Sequence, residues 1–144
     1  MAIVLCGEPL SGFSIESVRE RLSQVGSEGE LAALYASVCN QAWWVADDAY
    51  DYAVGTAGYR AARARADGWF ALCKDIERQI FRILQSEGVS IPQAGRIAVL
   101  SPFMERNGFY DRDGWWIAQA IPSAPGTGDA QSAADHHTPL RLPK

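Results

Sequence analysis

A chain of 144 residues, 48% hydrophobic and 21% charged, has the size of one domain and rules out wholesale disorder. Its net charge of −4 and pI near 5.1 are too mild for a DNA mimic. They also have the wrong sign for a protein that coats nucleic acid with its whole surface.

In chain order, residues 2–6 form a short apolar run ending at Gly7 and read as a short strand. Ser14 is placed to cap a helix over 14–25, with Glu16 in its first turn and Phe13 able to staple onto Val18. Ile15, Val18, Leu22 and Val25 give that helix its inner stripe, and Gly26 ends it.

Two long apolar ladders follow, both stepping by alternating fours and threes. The first runs Leu31, Tyr35, Val38, Ala42, Val45, Ala49, Tyr52; the second runs Tyr59, Ala62, Ala66, Trp69, Cys73, Ile76, Ile80, Ile83. A strand cannot keep this spacing on one face, so the expectation is helices over 28–54 and 56–86, turning between Gly55 and Gly58. Ser27 and Glu30 have the capping-box spacing at the start of the first, and Gly88 stops the second. The pair makes a long antiparallel helical hairpin. Asp47, Asp48 and Asp51 would then face Arg60, Arg63 and Arg65 across the turn, and pairing between them would set the register.

The span 92–100 is ambiguous between a short helix and a strand. Ser101 and Pro102 look like the cap and first residue of a short helix over 101–107. The aromatics around Asp111-Arg112-Asp113-Gly114 mark a hairpin over 108–119, whose second strand, residues 115–118, is a candidate partner for the strand at 2–6. Residues 122–144 are Ser, Ala, Gly, Pro, Asp and His with almost no large apolar side chain before Leu140, the composition of a disordered tail. The fold expected is therefore mainly α: an N-terminal helix, a long antiparallel hairpin and a small C-terminal α+β element, in one domain over 1–121.

Sites of familiar chemistry do not assemble from these residues. The Asp111–Gly114 turn resembles the middle of a calcium loop, but Phe109 and Ala120 stand where two ligands are required. Asp47, Asp48 and Asp51 could hold a metal, yet no glutamate or histidine joins them at ligand spacing. Cys39 or Cys73 would need a base as a nucleophile, and the two histidines, His136 and His137, lie in the tail. No phosphate-loop, dinucleotide, zinc-protease or serine-elbow motif is present, and the reading calls for no cofactor or metal.

Three cysteines, Cys6, Cys39 and Cys73, are odd in number and form no CxxC pair; residues 1–6 lack a basic leader, and no uncharged run nears the roughly 20 residues of a membrane span. The expectation is a cytoplasmic protein with no membrane partner. Aromatic residues supply the sharper lead. Trp43-Trp44, Trp69-Phe70 and Trp115-Trp116 place neighbouring rings on different faces, so Trp43, Trp44 and Phe70 fall off the seam, and Trp115 and Trp116 cannot both face inward. Covered, they are core; uncovered, they are a contact surface, since Trp and Tyr dominate binding hot spots.

The function expected is a non-enzymatic protein-interaction module, associating with itself or binding and inhibiting a larger macromolecule, as proteins encoded by mobile elements do. Two alternatives are a DNA-binding regulator and a metal-dependent enzyme using Asp47, Asp48 and Asp51. The first would use two short helices and a hairpin in winged-helix outline, with Arg96, Arg106 and Arg112. That basic content is thin, so nucleic acid is an unlikely partner.

Overall fold

A computed structural model describes residues 12–119; the strand expected at 2–6, its pairing with 115–118, Cys6, His136, His137 and the tail at 122–144 lie outside the described residues. Within 12–119 the chain forms four α-helices and one two-stranded antiparallel sheet. Helix α1 (Ile15–Ser23) begins where expected, the Ser14 hydroxyl accepting from Ser17 N–H at 3.1 Å. Helix α2 (Glu28–Asp47) starts on the expected capping box: Ser27 Oγ accepts from Glu30 N–H. The reciprocal bond shifts by one residue, Glu30 Oε1 accepting from Gly26 N–H at 2.8 Å.

Helix α3 (Ala57–Ser86) carries a Thr56 cap at its start and ends in a Schellman turn. There Gly88 has φ +91°, its N–H bonds to Gln85 O, and Val89 N–H reaches back to Leu84 O. The two ladders form the seam between α2 and α3. Leu31, Tyr35, Val38, Ala42 and Val45 are buried from one side, Ala62, Ala66, Trp69, Cys73, Ile76 and Ile80 from the other. Helix α2 has 13 of its 20 residues buried, because α3 covers one face and the C-terminal sheet another. A helix apolar nearly all round can be stable only in such a central place. Helix α1 lies against α3, closely enough that a Cβ on Gly68 would come within 2.8 Å of Ile15 Cδ1.

Two boundaries differ from expectation. The α-helix over 28–54 stops at Asp47, and Asp48–Asp51 form a 3₁₀ turn followed by irregular chain to the Thr56 cap. Three aspartates crowd the negative end of the helix dipole there, with no cation in the last turn to offset them. Ala49 still reaches the core, but Tyr52 does not.

The second difference lies beyond α3. A single helix, α4 (Ile97–Arg106), replaces both the ambiguous segment and the helix expected at 101–107, and Pro102 sits inside it. An interior proline costs roughly 3 kcal/mol. Against this, Leu100, Phe103 and Met104 are all buried on one face spanning the proline, worth about 1.5–3 kcal/mol each. Burial wins.

Strands β1 (Phe109–Arg112) and β2 (Trp115–Ala118) pair with Arg112 opposite Trp115. The two turn residues, Asp113 and Gly114, have φ of +54° and +86°, the signs a type I′ hairpin requires. Phe109 and Trp116 face the core. The sheet is fastened to the hairpin by Asn40 of α2, which is 1% exposed. Its Nδ2 donates to Trp116 O at 2.9 Å, and its Oδ1 accepts from Trp116 N–H at 3.2 Å.

Candidate interaction surface

The five aromatic residues singled out in the sequence separate into three environments. Trp116 is core, its ring 6.3 Å from that of Tyr35 and its backbone held by Asn40. Trp115 and Phe70 are half-buried. Trp43 and Trp44 remain in solvent; Trp43, 52% exposed, stands edge-on to Phe70 with centroids 5.2 Å apart.

The structure adds three residues to this exposed group. Tyr50 is 85% exposed, Val54 is 81% exposed, and Tyr52 is nearly half exposed. Sequence periodicity missed them because it continued α2 to residue 54, which put Tyr52 on the seam. The 3₁₀ turn breaks that period. A signal existed in the run of aspartates at 47, 48 and 51, with no basic residue in the last turn of α2. The ring of Tyr52 lies across the start of α3, where a Cβ on Gly58 would fall 2.5 Å from its Cδ1. Large apolar side chains therefore concentrate at the turn end of the hairpin, on the last helical turns of α2 and the loop that follows.

Arg60 and Arg63 take partners other than the aspartates expected across the turn. Arg63 pairs with Asp67, four residues along its own helix, at 3.3 Å. The Arg60 guanidinium donates to Gly55 O at 2.8 Å. Among the described residues Asp48 and Asp51 form no ion pair with Arg60, Arg63 or Arg65. The α-helix ends at Asp47, so both carboxylates lie beyond the helical register from which the pairing was expected. Asp48 instead borders a cleft of about 390 Å³ with Arg65. Phe13, Trp44 and Trp69 supply its aromatic walls, Ser14 and Glu16 its edge at the start of α1, and Gln41 a buried side.

Ion pairs between elements join α1 to α3, through Arg19 and Asp75, and close the opposite end of the hairpin. Arg106 of α4 donates through Nε to Glu28 Oε2 at 2.6 Å and through Nη2 to Glu87 Oε2 at 2.8 Å. It thus clasps the start of α2 to the end of α3. The Arg106 and Asn107 hydrogen bonds hold the Glu28 carboxyl below the usual glutamate range. Arg96 is also engaged, donating to Pro92 O and lying over the Phe81 ring at 5.6 Å. The winged-helix outline called for two short helices before the hairpin; among the described residues one, α4, stands between α3 and the sheet.

Inside the seam, Tyr35 donates to Glu77 Oε2 at 2.7 Å. Burial and the nearby Glu77 push the Tyr35 phenol far up. A hydrogen bond with Cys39, then burial, raises the Cys73 thiol well above its ordinary value. Cys73 thus stays protonated, which deprives it of nucleophilic character. Among the described residues no three His, Cys, Asp or Glu side chains gather into a metal-holding group, and no helix is long and apolar enough to cross a membrane. Compared with protein-family models, with curated proteins and with solved structures, the chain matches none.

Proposed function

We propose that this protein is a non-enzymatic interaction module that acts by contact in the cytoplasm, through the exposed aromatic residues at the turn end of its helical hairpin. Self-association is the form favoured; binding and blocking a larger macromolecule is the other form of the same reading. The observation that carries it is the exposure of Trp43, Tyr50, Tyr52 and Val54 together in one stretch of chain, with Trp44 beside them. Isolated exposed apolar residues are ordinary, but five within residues 43–54 form the raw material of a hot spot. A self-complementary patch of this kind gives a two-fold dimer without further apparatus.

The test is light scattering coupled to size exclusion at two protein concentrations, on the parent chain and on Trp43→Ala. The parent is expected to show a mass above 15.7 kDa that rises with concentration, and the variant a lower mass at the same concentrations. Equal masses for the two proteins would refute the assignment to these residues.

A further inference from the structure

We infer that the cleft between α1 and the hairpin is a binding site for the guanidinium group of an arginine side chain carried by a protein partner; this deepens the interaction reading and rests on it. Gln41 is 5% exposed, and its Oε1 is shut from solvent with no hydrogen-bond donor. A buried carbonyl oxygen left in that state costs about 1–3 kcal/mol, so a group that supplies an N–H recovers it. Gln41 borders the cleft, so a donor entering from that side needs only a small shift of the side chain to reach the oxygen.

The rest of the lining specifies the donor. Glu16 and Asp48 bring two carboxylates against the single cation of Arg65, and Ser14 adds a hydroxyl. The cleft is therefore net negative and rich in acceptors. Phe13, Trp44 and Trp69 also line it, and an aromatic face attracts a cation. A guanidinium satisfies all of these demands at once: it is flat, permanently charged, carries five N–H donors in one plane and stacks on indole. An ammonium meets the charge but cannot stack or fork between Gln41 and Asp48. A volume of about 390 Å³ accommodates one such side chain rather than a folded peptide segment. Arginine is also enriched at the centres of protein interfaces.

The probe is the blocked residue N-acetyl-arginine-N-methylamide, titrated into the full chain while the indole N–H signals are followed by NMR. Saturable shifts are expected at Trp44 and Trp69, with the lysine counterpart about tenfold weaker or worse. Gln41→Leu keeps the side-chain volume and removes the orphaned oxygen. It is expected to raise the melting temperature and to weaken binding about tenfold. Asp48→Asn, at an exposed position, keeps the fold and weakens binding in the same direction. Absence of saturable indole shifts, equal binding of the lysine probe, or unchanged affinity in Gln41→Leu would each overturn the assignment. Stronger binding of free arginine than of the blocked residue would mark a small-molecule site and overturn the protein source. Tyr50→Ala lies outside the cleft, so it should abolish association without changing the titration. Loss of one behaviour without the other shows which of the two readings has failed.

Discussion

At the scale of single residues, Asn40 decides whether the C-terminal sheet belongs to the helical core. Both polar ends of its carboxamide are used on the backbone of Trp116, inside a dry interface. Asn40→Ala removes two hydrogen bonds and leaves a buried N–H and C=O unpaired, so a loss of about 2–4 kcal/mol is expected in urea denaturation. A loss under about 0.5 kcal/mol would mean that water or another side chain replaces the amide. This role was not legible beforehand: a polar residue inside an apolar helix carries no periodicity, and its partner lies 76 residues away. Gln41 was hidden for the same reason. Cys73, by contrast, was legible as core, because it falls on the ladder.

Among the elements, those governed by local rules were readable and those governed by tertiary contact were not. The Ser14, Ser27 and Gly88 signals hold because a cap needs only its neighbours within one turn. The Asp113-Gly114 turn holds because only positive φ joins two strands so tightly. Gly114→Ala is expected to cost about 1–2 kcal/mol through its left-handed backbone, measurable as a lower melting temperature. Pro102 misled, because its usual place is a first turn, whereas here the buried face of α4 outweighs the missing hydrogen bond.

The Arg106 clasp was also illegible, since it joins residues 28, 87 and 106. It does make a pH prediction. The folded-state pKa of Glu28 is depressed, so its stabilisation is complete above the ordinary glutamate value of 4.5 and fades as pH falls through the lower folded value. With the Glu28 side chain 34% exposed, solvent screening limits the effect to about 1 kcal/mol or less. Glu28→Gln should therefore be less stable than the parent near pH 7, the gap closing as pH falls below 4.5. A gap independent of pH would assign the loss to packing instead.

For the whole molecule, the two ends of the hairpin differ in kind. One end is closed by Arg106, Glu28, Glu87 and the packed α4–sheet element. The other carries exposed rings, with the acceptor-rich cleft beside it. Aromatic excess was visible in the sequence, but which rings are wet depends on the 3₁₀ turn after Asp47 and on the coverage of Trp116 by the sheet. Tyr50 stands mostly in solvent, so Tyr50→Ala should stay within the ±0.5 kcal/mol usual for surface positions, while Trp43→Ala should cost about 0.5–1.5 kcal/mol more through its lost contact with Phe70.

The most direct measurement is therefore light scattering of the parent and of Trp43→Ala/Tyr50→Ala over a range of concentrations, with melting curves on the same samples. The account predicts that the parent associates above 15.7 kDa, and that the variant runs as a single chain and still melts cooperatively, at a slightly lower temperature. A parent of 15.7 kDa at every concentration, a variant that still associates, or one that melts far lower would contradict it.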